Sequence, residues 1–233
     1  MIVPGWDLPS SEAALELAAR HPDLIHAAVG IHPHDAGGVD EAGWARLEEL
    51  LADRRVRAVG EIGLDYHRNL SAPDAQREAF ARQLAMAARR GLPVLVHDRD
   101  AHDDVTATLL AWPGLPGQQG RGVLHAFSGD GGMAERLSGA GYLVSFALPV
   151  AFRSAAGPRD AARRLPDGTF LVETDAPYLG PDRDRRNEPT TAIRVAAEIA
   201  RLRGADLAEL VGSIGQALEA LIPRIPRQEP ASA

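Results

Sequence analysis

The stretch Val56-Arg57-Ala58-Val59-Gly60-Glu61-Ile62-Gly63-Leu64-Asp65-Tyr66 begins as a β-branched apolar run and ends in a glycine-punctuated turn carrying two carboxylates. Downstream, Ser71 stands ready to cap a helix with Pro73 in its first turn, and Gln76, Phe80, Leu84 and Ala88 repeat at a spacing of four until Gly91 and Pro93 stop the pattern. A short strand, a polar turn and a helix form one βα unit. Repetition of such units defines a parallel α/β fold.

Working outward, the same order recurs seven times. Strands are predicted near Met1 to Val3, His26 to Ile31, Val56 to Ile62, Val94 to His97, Gly122 to His125, Tyr142 to Phe146 and Thr169 to Glu173. Helices are predicted over about Ser10 to Arg20, Glu41 to Ala52, Ser71 to Arg90, Asp100 to Ala111, Gly132 to Ala140, Pro158 to Arg164, Thr190 to Arg203 and Asp206 to Leu221. No linker or close repeat divides the chain, so residues 1–222 read as one barrel-like domain and 223–233, with three prolines before the final alanine, as a mobile tail.

Composition narrows the chemistry. The 233 residues are 45% hydrophobic and 24% charged, an ordinary globular balance. There is no cysteine, which removes disulfides, thiolate ligands and cysteine nucleophiles together, and every one of the 25 basic residues is arginine, which removes a P-loop lysine, a Schiff base and a carbamylated lysine bridge. Any metal must therefore be held by imidazole and oxygen. No apolar run approaches a membrane span and no signal peptide is visible, so a cytoplasmic protein without a membrane or obligate protein partner is expected. The net charge of −7 argues against a broad basic surface, although Arg183, Arg185 and Arg186 could meet a phosphate locally.

The reactive side chains gather where strands end. His32 and His34 follow the second strand, Glu61 and Asp65 the third, His97 and Arg99 the fourth, His125 the fifth and Asp175 the seventh. In a βα barrel all these points face one rim, where active sites of that architecture lie. Singly, each has a plain alternative: a hydrogen-bonded structural histidine, a carboxylate tied to backbone amides, a turn-capping aspartate before Pro177. Jointly they point to a metal, because apolar residues fill a barrel interior at lower cost.

The strings Gly30-Ile31-His32-Pro33-His34, Gly60-Glu61-Ile62-Gly63-Leu64-Asp65-Tyr66, His97-Asp98-Arg99-Asp100-Ala101, Leu124-His125-Ala126-Phe127-Ser128-Gly129, Glu173-Thr174-Asp175-Ala176-Pro177-Tyr178-Leu179 and Arg186-Asn187-Glu188-Pro189 together resemble the TatD family of metal-dependent deoxyribonucleases. Order and spacing agree over nearly the whole chain, with 36 residues from Glu61 to His97, 28 to His125 and 50 to Asp175. The resemblance implies a TIM-type (β/α)8 barrel of the metallo-dependent hydrolase kind, holding two divalent ions (Mg²⁺, Mn²⁺ or Zn²⁺) and cleaving DNA phosphodiesters, single-stranded or from 3′ ends. It implies metal ligation by Glu61, His97, His125 and Asp175, with Glu61 and Asp175 catalytic and Asp175 orienting water. It also implies substrate contacts by His32, His34, Tyr66 and Arg99. Arg99 would clamp a phosphate with its planar fork, against the alternative of an ion pair with Asp98 or Asp100. Tyr66 would stack on a base, or pack the barrel mouth instead. His21, His26, His67 and His102 match no motif position and read as surface or capping residues.

One departure matters. The family's first strand carries a His-x-His metal-binding pair, whereas the only His-x-His here is His32 to His34, which already has its own match. The opening residues resemble the family's second strand and helix. The expectation is that one βα unit is absent, with about seven present and metal binding and activity weakened; a start codon placed too far downstream is the favoured reason, beside a deliberately shortened chain or a truly degenerate homologue. Two other readings stay open. A phosphotriesterase- or lactonase-like ester hydrolase is disfavoured by Glu61 and the absent lysine, and a non-catalytic barrel binding nucleic acid or protein is disfavoured by retention of Glu61, His97, His125 and Asp175 together.

Overall fold

The computed structural model describes residues 1–114, 120–181 and 186–222; the expected tail, Arg183 and Arg185 lie outside them. Among the described residues there are seven strands, β1 (Ile2–Pro4), β2 (His26–Val29), β3 (Val56–Asp65), β4 (Val94–Arg99), β5 (Gly122–Leu124), β6 (Tyr142–Phe146) and β7 (Phe170–Val172). Every neighbouring pair is parallel and the order is sequential from β1 to β7. The connecting helices are α1 (Leu8–Arg20), α2 (Glu41–Leu50), α3 (Pro73–Arg90), α4 (His102–Ala111), α5 (Gly131–Gly139), α6 (Ala156–Arg164), α7 (Ala192–Arg203) and α8 (Leu207–Leu221). This is the α/β, TIM-like arrangement with about seven βα units that the sequence predicts. No helix among the described residues is long and apolar enough to cross a membrane.

Alternation along the strands sorts side chains between two cores. Facing the helices, Ala27, Val29, Val59, Val94, Val96, Leu124, Val144, Phe146 and Phe170 join one large cluster with Leu47, Phe80, Leu84, Val105, Leu137 and Ile199. Facing inward, Ala28, Ala58, Leu95, Val123 and Leu171 form a second layer, closed by Ala217, Leu221 and Ile222 at the end of α8. Burying each large apolar side chain contributes roughly 1.5–3 kcal/mol, and the two-sided burial explains why the strands read as near-continuous apolar runs.

Helix ends follow their sequence signals where the cap is local. Asp7 and Ser10 make a reciprocal capping box on α1, Asp40, Asp130 and Asp206 cap α2, α5 and α8, and α3 stops at Gly91 with φ of 66°. Ser71 is the exception. It does not cap α3, whose N-cap is Ala72; its hydroxyl donates to His34 O at 2.7 Å and accepts from Gly37 N at 2.9 Å. A long-range tie to the loop after β2 outcompetes the local cap.

Between the edge strands β1 and β7 lies a cavity of about 490 Å³. Ile2, Val123, Leu171 and Leu218 give it apolar walls, and Glu61, His125, Glu173 and Asp175 line it where the strands end. The core of the curled sheet thus communicates with the rim that carries the reactive groups.

Candidate metal centre

β3 delivers both of its carboxylates by approaching β4 closely. A Cβ on Gly60 would stand 2.5 Å from Leu95 Cβ, and one on Gly63, whose φ is 138°, would stand 2.0 Å from His97 O. Only glycine permits the register in which Gly63 pairs with His97 and Asp65 with Arg99. The strand therefore runs three residues beyond the predicted Ile62. Glu61 and Asp65 come to rest on two sides of the His97 ring.

The loop after β2 is held as firmly. Gln83, fully buried on α3, accepts from Ile31 N at 2.7 Å and donates to Ile31 O at 3.0 Å, while Gln76, seven residues earlier, accepts from Asp65 N at 2.8 Å and donates to Asp65 O at 3.1 Å. Two amides on one helix face fix the backbone entering His32 and the backbone of Asp65.

Three imidazoles converge on one carboxylate oxygen. Glu61 Oε1 lies 2.7 Å from His125 Nε2, 2.9 Å from His97 Nδ1 and 3.4 Å from His32 Nε2. Ring centroids are 4.5 Å apart for His32 and His97 and 5.5 Å for His97 and His125. The outer nitrogens meet carboxylates: His97 Nε2 is 3.2 Å from Asp65 Oδ2 and His125 Nδ1 is 3.4 Å from Glu173 Oε1. His34 Nε2 also reaches Asp65 Oδ2, at 2.9 Å.

These contacts fix the electrostatics. Burial resists the ionisation of Glu61, but the His125 charge and bonds from His125, His32 and His97 hold its carboxyl well below the ordinary value. Burial likewise disfavours a charged His125, and Glu61 and Glu173 override it, raising His125 well above its usual range. His97 is raised by Asp65 and Glu61 against the cost of burial. Burial dominates at His32, which is lowered. Asp175 makes no hydrogen bond to the cluster among the described residues, yet burial, opposed by His125 and reinforced by Glu173 and Glu61, pushes its carboxyl up to about 6.

The donor set fits a divalent cation. Each ring turns one nitrogen toward Glu61 and the other toward a carboxylate, Asp65 or Glu173; with a divalent cation at the centre, the outer nitrogens would keep the ring protons and the inner nitrogens, 3.3 Å apart, would turn lone pairs to the ion in place of their bonds to Glu61. A cation would take the place of the protons that those nitrogens share with Glu61. His32, Glu61 and His97 offer ligand atoms all within 4.8 Å of one another. His32 differs in tautomer, however, because its Nδ1 accepts the His34 backbone N–H at 3.1 Å, which leaves the ring proton on Nε2. By distance it belongs to a metal-capable set; by protonation it is a hydrogen-bond donor.

The remaining expected residues are distributed as follows. Arg99 is exposed at the end of β4, and its proposed ion-pair partners are engaged elsewhere, Asp98 with His102 at 2.8 Å and Asp100 with His67 at 2.9 Å. Tyr66 is half-buried, and its hydroxyl donates to Asp104 at 2.6 Å and accepts from Arg77 at 2.8 Å, so its ring is tied to the rim. Arg186 is exposed. His67 and His102, which match no motif, serve as partners of Asp100 and Asp98. Two residues join the site without having been assigned a role, Asp65 and Glu173. The strand-end position of Asp65 was a visible signal, whereas Glu173, which also accepts from Ala126 N at 2.8 Å, is revealed only by contacts across 47 residues.

A parallel, TIM-like sheet with imidazoles and carboxylates gathered at the carboxyl ends of its strands defines the class of metal-dependent hydrolase barrels. The chain belongs to the TatD related DNase family, whose model matches residues 1–223. It is 38% identical over 205 residues to an uncharacterized metal-dependent hydrolase, YabD, of Bacillus subtilis, covering 87% of this chain and 79% of that protein. It is 39% identical over 221 residues to the 3′-5′ ssDNA/RNA exonuclease TatD of Dickeya dadantii, covering 91% and 81%. Among solved structures, the TatD homologue YJJV of Escherichia coli superposes with a TM-score of 0.86 at 30% identity, over 95% of this chain and 85% of that one.

Proposed function

We propose that this protein is a metal-dependent hydrolase of nucleic-acid phosphodiesters that shortens single strands from the 3′ end. The observation that carries the reading is the convergence of one ring nitrogen each from His97 and His125 on Glu61 Oε1, each ring braced by a carboxylate on its far side. In this reading Glu61, His97, His125 and Asp175 would hold two divalent ions, Mg²⁺, Mn²⁺ or Zn²⁺. Bound there, such ions lower the pKa of a water and neutralise phosphate charge.

The side chains then divide the work. Asp175 lines the same cavity as Glu61 and His125, and its carboxylate orients the attacking water and accepts its proton. His32 directs its Nε2–H toward the centre and donates to a non-bridging phosphate oxygen. His34, shared with Asp65, lies alongside it with ring centroids 4.3 Å apart. Arg99, exposed on the rim, meets the next phosphate of the strand. Asp65 and Glu173 act as positioning residues for the two imidazoles.

The test uses single-stranded DNA and RNA labelled at either the 5′ or the 3′ terminus, with each of the three metals and with a chelator. A 5′-labelled ladder shortening from its 3′ end, lost with chelator and in Glu61→Gln and His125→Ala, is the expected result. No shortening with any metal, or equal shortening by Glu61→Gln, overturns the reading. Hydrolysis of a lactone or phosphotriester in place of nucleic acid would favour the ester-hydrolase reading.

A further inference from the structure

Of the chain's three tryptophans, three tyrosines and five phenylalanines, those with exposed side chains are Trp6, Phe152 and Tyr178, and all three sit in loops that follow strands. They share the rim of the candidate centre, and the opposite end of the sheet has none. Chance scatter of single apolar residues over a surface does not favour one end.

Trp6 and Tyr178 have a second feature in common: a fixed backbone beneath a ring left in solvent. Trp6 N donates to Ser10 Oγ at 2.9 Å and Trp6 O accepts from His32 N at 2.8 Å, while the preceding Gly5 O accepts from Glu61 N at 2.8 Å. The residue is thereby bolted to the loop that carries His32 and, through Gly5, to the strand that carries Glu61, yet it is 53% exposed. Tyr178 N donates to Asp175 O at 2.7 Å and Tyr178 O accepts from Asn187 Nδ2 at 2.7 Å, and the residue is 69% exposed. Tyr66, by contrast, has its hydroxyl bonded to Asp104 and Arg77. Holding a large flat ring in water on a rigid stem wastes apolar area unless another flat surface covers it, and the low entropy cost of docking onto a fixed ring favours that use.

We propose that Trp6 and Tyr178 are base-stacking residues, which take unpaired nucleobases of the strand whose phosphate lies at the Glu61, His97 and His125 cluster. The proposal rests on the nucleic-acid reading of the site and adds the means of selecting single strands. A π-face must be free of its duplex neighbours before an indole can cover it, and stacking is tolerant of base identity. Trp6 and Tyr178 follow the two edge strands, β1 and β7, so the strand would be gripped on both sides of the cavity between them.

Trp44 and Trp112 are buried, so quenching of solvent-exposed tryptophan emission reports Trp6. The metal-loaded protein is mixed in a stopped-flow instrument with a thymidine oligomer of about ten nucleotides, and separately with an abasic strand of equal length, and emission is read before turnover. Quenching by the thymidine strand and far less by the abasic strand is expected. Trp6→Leu should weaken binding of the thymidine strand about ten-fold and leave the abasic strand unchanged; Trp6→Phe should retain most of the affinity, and Tyr178→Leu should behave like Trp6→Leu. Equal binding of both strands by the unaltered protein, or unchanged affinity in Trp6→Leu with its melting temperature preserved, overturns the stacking role. Cleavage separates the two claims. A protein that cleaves while Trp6→Leu binds normally loses only the platform, and one that cleaves neither strand but still discriminates thymidine from abasic DNA loses only the nuclease reading.

Discussion

The side-chain amide of Gln83 closes on both backbone groups of Ile31, accepting from its N–H at 2.7 Å and donating to its C=O at 3.0 Å. The residue that follows Ile31 is His32, so a buried amide on α3 sets the position of an imidazole at the centre. Gln83→Leu, similar in volume, strands a buried donor and a buried acceptor at about 1–3 kcal/mol each. The expected loss is roughly 3 kcal/mol or more, a fall in melting temperature of about 6–12 °C by differential scanning calorimetry. A variant that melts within a degree or two of the parent would show that water or a shifted loop replaces the amide.

This tie also marks the boundary of what the sequence discloses. Strands and helices are legible because two-sided burial writes β1 to β7 as apolar runs and because Asp40, Asp130 and Asp206 announce helix starts within four residues of their targets. Gln76 looks like one member of an apolar stripe, since nothing local says that it serves Asp65, 11 residues upstream. Ser71 looks like a cap, but its partners His34 and Gly37 lie more than thirty residues away. Glu61, His97 and His125 were visible as ligand types at strand ends. The bracing by Asp65 and Glu173, the protonation of His32 and the exposure of Trp6 depend on pairings that only the folded chain specifies.

Glycine positions separate two opposite outcomes of one substitution. At Gly63 an added Cβ meets His97 O at 2.0 Å in a backbone region that side chains rarely adopt. At Gly212, inside α8, it meets nothing within 4 Å. Gly63→Ala should reduce stability by more than about 3 kcal/mol and displace His97. Gly212→Ala should raise stability by up to about 1 kcal/mol through helix propensity. Urea unfolding of both variants beside the parent checks the pair, and a stable Gly63→Ala protein would contradict the close approach of β3 to β4.

Acid should weaken the tie between α6 and α7. Glu198 accepts from Arg201 at 2.7 and 2.8 Å and from Arg159 at 3.0 Å, and these guanidinium bonds, Arg201 foremost, draw its carboxyl from an ordinary 4.5 to about 2 despite the opposing effect of burial. A carboxyl depressed in the folded state takes up its proton first in the unfolded chain, so the stabilisation is complete above about pH 5 and is lost as pH falls through 4.5 toward 2. Glu198→Gln should therefore cost about 1 kcal/mol near neutrality, after discounting for the solvent that reaches the pair, and almost nothing near pH 2. Urea midpoints for parent and variant across that range test it; a difference that stays constant with pH refutes the assignment.

Metal binding should be readable without any substrate, and the imidazole tautomers say which variants lose it. An ion bound to the folded state alone stabilises it by about 2.7 kcal/mol at a hundred times its dissociation constant, a rise in melting temperature of roughly 5–10 °C for a chain of this size. Mn²⁺ or Zn²⁺ should produce that rise in the parent and a chelator should reverse it. Glu61→Gln and His125→Ala should abolish the rise, because one loses the central carboxylate and the other a ring nitrogen 2.7 Å from it. His32→Ala should keep most of the rise while lowering kcat/KM, since its Nδ1 already accepts the His34 N–H and its Nε2 is left as a donor. Loss of metal stabilisation in His32→Ala equal to that in His125→Ala would overturn the tautomer assignment and make His32 a ligand.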